Sequence, residues 1–143
     1  MVDVSQKDDS RRVAVARGLV QMKVETAKLI QNRELSKGDV VEVARVAGIM
    51  GVKQTPGLIP MCHSIHVDSV EIDFEFINEG ELSITATVVA TDRTGVEMEA
   101  LTCVTVSALT VYDMCKSVDK GMTIREIGLV SKTGGKSGDF VRS

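Results

Sequence analysis

The sequence has no tryptophan, one tyrosine and three phenylalanines, so aromatics supply only 3% of its 143 residues. Proteins that hold single-stranded nucleic acid stack bases on aromatic faces, and this chain lacks the material for such a platform. Positive charge is not in excess either: 17 Lys and Arg stand against 20 Asp and Glu, for a net charge of −3. Broad electrostatic capture of nucleic acid is therefore not expected. An anionic small molecule remains within reach if lysines are gathered locally. No apolar run approaches the ~20 residues that cross a bilayer. Met1–Arg12 passes from polar to charged residues with no apolar signal segment. The expectation is a cytoplasmic protein with no membrane or nucleic-acid partner. Cysteine is sparse and odd in number: Cys62, Cys103 and Cys115, with no CxxC pair. That argues against a disulfide framework or a zinc knuckle. Cys103 and Cys115 fall in an apolar helical stretch and read as buried thiols packed as small hydrophobes.

What is present is a core. Hydrophobic residues make up 43% of the chain, which excludes a disordered polypeptide. The length suits one domain, residues 1–143. Repeats, low-complexity segments and Pro/Gly/Ser linkers are missing, and the two prolines, Pro56 and Pro60, bracket one short loop. Val13–Val20, rich in Val and Ala, reads as a first strand. Val24–Arg33 has a helical period in Ala27, Leu29 and Ile30. Lys37-Gly38-Asp39 opens a second helix whose apolar face is Val40, Val43, Ala44, Ala47 and Met50; the TPGLIP stretch is expected to break it. His66–Ile77 and Leu82–Ala90 alternate apolar and polar residues around a turn at Asn78-Glu79-Gly80, the pattern of an antiparallel hairpin. Val96–Val118 is the longest periodic segment, with Met98, Leu101, Val104 or Thr105, Leu109, Tyr112 and Cys115 on one helical face. Its β-branched content lowers its helix propensity, so burial must hold it. Ile124–Ser131 is a last strand. The order βααββαβ predicts an α+β fold, a ferredoxin-like split βαβ with one extra helix and an antiparallel sheet covered by helices on one face. The apolar character of the strands suggests that a partner covers the other face.

Five constellations carry candidate chemistry. In Thr94-Gly95-Val96-Glu97-Met98-Glu99, Thr94 and Glu97 have capping-box spacing and Glu99 suits the helix dipole. Alternatively, these carboxylates bind donor groups of a base or amine. In Tyr112-Asp113-Met114-Cys115-Lys116, Asp113 and Lys116 are three apart and share a helix face. They form either a surface ion pair or a proton-transfer pair whose lysine stays protonated. Lys37, at a helix start, opposes the dipole; it is either a solvated lysine in a turn or, beside free backbone N–H groups, a phosphate site. Pro60–His66 holds Cys62, His63 and His66, but no second ligand cluster exists and no metal is expected. His63 either enters a pocket or is satisfied by backbone groups. The tail Lys132–Asp139 contains Gly135-Lys136-Ser137, yet Val130 stands where a P-loop needs glycine and no helix can follow, so a nucleotide-hydrolase loop is rejected. Lys132 and Lys136 could still meet phosphate as point charges. Glu97 and Asp113 are sixteen positions apart, roughly 24 Å of helix at ~1.5 Å per residue. One small molecule cannot touch both within one chain, so a site using both is assembled from two chains.

Together MVDVS at Met1, KGDV at Lys37, ARVAGI at Ala44, IPMCH at Ile59, TGVEMEALT at Thr94, YDMCK at Tyr112 and KTGGKSGDF at Lys132 resemble the cyclic pyranopterin monophosphate synthase (MoaC) family of molybdenum-cofactor biosynthesis. The resemblance implies a ferredoxin-like fold and homohexamers built as trimers of dimers, with the site at a subunit interface. It implies conversion of 3′,8-cyclo-7,8-dihydroguanosine 5′-triphosphate, a cyclised GTP derivative, to cyclic pyranopterin monophosphate and pyrophosphate. By motif, Asp113 matches the catalytic aspartate and Lys116 its partner lysine; Lys37 matches a pocket position and, if crowded by other cations, is a further candidate base. Met61, Cys62, His63, Met98 and Glu99 match substrate-binding positions, and Arg12, Lys53, Glu97 and Lys132 other pocket positions, so the tail 132–143 contributes to the site. No resident cofactor is implied; Mg²⁺ can accompany the triphosphate. Two positions depart from the family pattern: Ser64 stands where proline usually follows the histidine, and Gln54 where arginine often follows the lysine matching Lys53. The alternative function is a non-catalytic ferredoxin-like oligomer that binds a nucleotide or triphosphate.

Overall fold

Small and branched apolar residues, alternating with polar ones, draw most of the chain into a sheet and two long helices laid across it. The computed structural model describes all 143 residues. In chain order the elements are β1 (Ser10–Gln21), α1 (Val24–Gln31), α2 (Val40–Leu58), β2 (Val67–Asn78), β3 (Glu81–Asp92), α3 (Glu97–Cys115), β4 (Thr123–Thr133) and β5 (Phe140–Val141). The strands lie in the order β2-β3-β1-β4-β5 with every pairing antiparallel. The first four reproduce the ferredoxin-like arrangement. The tail adds a strand that the expected βααββαβ order did not contain, because Phe140 and Val141 return to pair with Lys132 and Ser131.

The inner face of the sheet is Ala14, Ala16 and Val20 on β1 with Leu82, Ile84, Ala86, Val88 and Ala90 on β3, all buried. Their small side chains let α3 lie close. A Cβ on Gly18 of β1 would come within 2.8 Å of Val104 Cγ1 on α3. The helix pair packs in the same way, since a Cβ on Gly48 of α2 would meet Ser107 Oγ of α3 at 2.3 Å. That hydroxyl is buried and donates to the Ala44 carbonyl at 2.9 Å. Removing this contact area from water is what holds the β-branched α3 as a helix.

Helix α2 runs through Pro56 and ends at Leu58, inside the TPGLIP stretch expected to break it; two other local readings change. A proline in the last turn forfeits one hydrogen bond, and Ile59 N–H still closes on the Thr55 carbonyl at 3.0 Å. The buried stripe of α2 is Val40, Ala44, Gly48, Gly51, Val52 and Thr55, while Val43 and Met50 are exposed. On α3 the inward residues include Ala100, Cys103, Val104, Ala108, Val111 and Cys115, and Leu109 faces out. Both helices are apolar on more than one side, and the small-residue side faces inward because it allows the closest approach. Cys103 and Cys115 are buried as expected, and burial pushes their thiols up to about 12 and about 11.

Candidate active site

Helix α3 carries candidate site residues at both ends. At its C-terminal end Asp113 is held between two ammonium groups. Lys116 Nζ lies 2.9 Å from Asp113 Oδ1. Lys37 Nζ, from the turn before α2, donates to the Asp113 carbonyl oxygen at 3.0 Å and to Oδ2 at 3.4 Å. The carbonyl belongs to the last turn of α3, where the dipole favours a cation. The hydrogen bond and charge of Lys116, followed by the charge of Lys37, hold the Asp113 carboxyl below the usual carboxylate range. In return Asp113 raises the Lys116 ammonium above its ordinary value. Asp39 caps α2 by accepting the Glu42 N–H at 3.2 Å, so a carboxylate occupies the helix start beside Lys37. That lysine is turned across to α3 rather than standing over free N–H groups.

The N-terminal end of α3 is built differently. The capping box suggested by Thr94 and Glu97 does not form: the N-cap position is Val96, with no side-chain cap bond. Glu97 folds over Gly95 instead, where a Cβ would lie 2.1 Å from its Oε1. Glu97 and Met98 line a groove of about 330 Å³ with Met61, Cys62 and His63. Residues of the N-terminal segment, Val2, Val4 and Lys7, form its other wall, and the Met1 ammonium reaches Met61 Sδ at 3.4 Å. Glu99, read as a first-turn charge, is only 2% exposed. Its Oε2 accepts from Cys62 Sγ at 3.8 Å, and its Oε1 has no partner. Burial drives its carboxyl above the usual range. Its own backbone N–H and the Cys62 thiol act in the opposite sense, and the charges of Glu97 and Asp92 add to the rise. Glu99 also lines a neighbouring cleft of about 500 Å³ together with Lys53, Ser64 and Ile65.

Arg12 and Lys132 sit where the sheet meets the tail. Arg12 is buried, and its guanidinium donates to the carbonyls of Asp92 and Arg93 at 3.1 Å each. It thereby fixes the turn that leads into α3. Gly135 has φ +84°, and a Cβ on it would stand 2.1 Å from Arg12 Nη1, so only glycine lets the tail close over this arginine. Lys132 Nζ meets Ser137 Oγ at 3.1 Å, and Gly134 N–H reaches Asp139 Oδ1 at 3.3 Å. The tail is therefore a tied loop.

The structure thus gathers Met61, Cys62, His63, Glu97, Met98 and Glu99, with Lys53 in the adjoining cleft, at one end of α3. It gathers Lys37, Asp113 and Lys116 at the other end. Along the helix Glu97 and Asp113 are separated by about 24 Å at ~1.5 Å rise per residue. His66 pairs with Asp68 at 3.5 Å, and no group of three or more His, Cys, Asp or Glu is placed to share a metal ion. Sequence reading missed Asp92, whose carboxylate accepts the His66 backbone N–H at 2.8 Å and so ties the Cys62 loop to the end of β3. It also missed the N-terminal wall of the groove. Neither has a local spacing signal, because both join segments far apart in the chain.

Comparison with known proteins identifies the family of the chain. A family model described as the MoaC family matches residues 1–135, a span that includes both ends of α3 and the first glycines of the tail. A protein of Peptoclostridium acidaminophilum named cyclic pyranopterin monophosphate synthase is 54% identical over 142 residues, covering 99% of this chain and 90% of its own. Proteins of the same name from Desulforamulus reducens and Brevibacillus brevis are each 56% identical over 142 residues, with 99% of this chain and 87% and 89% of theirs covered. Identity at that level across nearly the whole of both chains is ample to settle kinship, and the chain belongs to the MoaC family.

Proposed function

We propose that this chain is a pyrophosphate-releasing lyase of the cytoplasm. In this reading it converts 3′,8-cyclo-7,8-dihydroguanosine 5′-triphosphate to cyclic pyranopterin monophosphate, the product that the names of its relatives carry. The observation that carries the reading is Asp113 fixed between Lys37 and Lys116. A carboxylate held ionised beside an ammonium held protonated is an acid–base pair poised for the proton transfers of ring opening and closure. Lys116 serves as the acid and Asp113 orients it. Lys37 is the candidate base, acting once substrate disturbs its bond to Asp113. Lys53, Lys132 and Arg12 supply positive charge toward the triphosphate, which stabilises charge developing on the departing pyrophosphate. Glu97 and Glu99 accept hydrogen bonds from the guanine-derived ring, with Met61, Cys62, His63 and Met98 bounding it. The proposal includes no resident cofactor; any Mg²⁺ arrives with the triphosphate.

In this reading one chain supplies the Glu99 end and another the Asp113 end, as in a homohexamer built as a trimer of dimers; the length of α3 supports it. Supplying the cyclised triphosphate and following pyrophosphate and pterin tests the assignment. Lys116→Ala and Asp113→Asn are expected to lose about 10²–10⁴-fold in turnover. Near-normal turnover in both removes the pair from the chemistry. Binding of the triphosphate with no product from the unaltered chain would instead mean a non-catalytic binding module.

A further inference from the structure

We infer that Cys62 is a positioning residue for Glu99: its thiol holds the buried carboxyl by Oε2 so that Oε1 is left open as an acceptor for one N–H of a ligand ring or exocyclic amine. The inference rests on the proposed site and adds a division of labour within it. The family resemblance put Cys62 among residues that touch substrate, whereas its sulfur is turned onto Glu99 at 3.8 Å, with the His63 carbonyl at 3.5 Å. A single S–H proton faces two acceptors, and the carboxylate is the stronger of them.

Glu99 itself is in an unusual state for a carboxyl group. It is 2% exposed, its Oε1 makes no hydrogen bond, and no salt bridge involves it. The ionisable groups around it are Cys62 on the loop after α2, Asp92 at the end of β3 and Glu97 on its own helix. Lys53 of α2 and Asp68 of β2 line the cleft it borders. A buried acceptor without a donor carries a desolvation penalty, and a ligand N–H that donates to it removes that penalty. The gain requires the carboxyl plane to be fixed beforehand, which is what a donor on Oε2 achieves. A thiol suits the task because it is a weak donor that leaves most of the carboxylate's demand unmet. The same contact argues against Cys62 as a nucleophile. Burial, then the charge and hydrogen bond of Glu99, push its thiol up, and a thiol so placed supplies little thiolate.

Two measurements test the idea. The first is the pH profile of Cys62 alkylation by iodoacetamide, read by mass spectrometry of its peptide, which separates it from buried Cys103 and Cys115. In Glu99→Gln the profile is expected to move down by about half a pH unit or more, giving about three-fold faster labelling at pH 8. An unchanged profile overturns the contact. The second is steady-state kinetics on the cyclised triphosphate. Cys62→Ala is expected to raise KM about ten-fold, Cys62→Ser to return it to within about three-fold, and Cys62→Ala to add nothing in a Glu99→Gln background. Equal effects of Cys62→Ala in both backgrounds, or no rescue by serine, overturn the positioning role. Should the unaltered chain yield no product, the proposed function fails, while the alkylation arm still decides whether Cys62 serves Glu99.

Discussion

Asp113 makes Lys116 a lysine that keeps its proton. The raised ammonium stays charged beyond the ordinary lysine value, so it can donate across the whole neutral range. In Asp113→Asn the charge and hydrogen bond that raise it are gone, and its pKa drops back. The alkaline limb of the turnover profile should then shift to lower pH in whatever activity remains; an unmoved limb would assign that limb to another group. Glu99 titrates with the opposite consequence for stability. Its carboxyl is raised in the folded chain, so between the unfolded value and the folded one the folded state binds more protons. Stability therefore falls as pH rises through that window and stays lower above it. Glu99→Gln should raise the melting temperature at pH 7, and the gain should vanish as pH falls below the ordinary carboxylate range. Thermal melts at both pH values check it. The Asp113–Lys116 pair was legible in the sequence because i, i+3 spacing on a helix is local. The burial of Glu99 was not, since the chain that covers it comes from the Cys62 loop, thirty-seven positions away.

The same division between local and distant contacts recurs in the elements. Alternation over β2 and β3 is a property of each strand, so the hairpin could be read directly, and the paired register runs from Val67–Ala90 to Asn78–Glu81. Which side of α2 and α3 turns inward could not, because two apolar stripes compete and the winner is set by how closely Gly48 and Ser107 let the helices meet. Helix α1 shows a cap that no spacing rule reveals. Its N-cap, Lys23, has no side-chain cap bond. Instead Asp119, buried in the loop after α3, accepts the Lys23 N–H at 3.0 Å and the Thr26 hydroxyl at 2.9 Å. Burial pushes this carboxyl up, but those bonds and the Lys23 charge outweigh it and leave the pKa lowered. Asp119→Ala should lower stability by about 1–3 kcal/mol, read from denaturant midpoints. Because the lowered pKa favours folding only while the carboxyl is ionised, the difference from the unaltered chain should shrink as pH falls through the folded-state pKa. A loss that is constant with pH would assign Asp119 a packing role only.

At the scale of the whole molecule the decisive quantity is the length of one helix. Helix α3 runs for nineteen residues and holds Glu99 in its first turn and Lys116 just past its last, a separation that only helix rise was needed to foresee. Which surface a second copy covers was beyond sequence reading, because α2 and α3 leave Val43, Val46, Met50 and Leu109 exposed while the open sheet face mixes acidic β2 with Arg11 and Arg17 of β1. Apolar stripes of this kind mark association surfaces more often than solvent faces. If two copies complete each other's site, variants disabled at opposite ends of α3 must complement one another. In a mixture of Glu99→Ala and Lys116→Ala chains, a site is whole only when its Glu99 comes from one variant and its Lys116 from the other. Random reassortment of equal amounts makes that about a quarter of all sites. Each variant alone should be inactive. After denaturation and joint refolding the mixture should recover about a quarter of the activity of the unaltered protein, and a tagged variant should co-purify the untagged one. Co-purification without recovered turnover would show that the copies associate but do not share a site. Each α3 would then have to serve its reaction from one end alone.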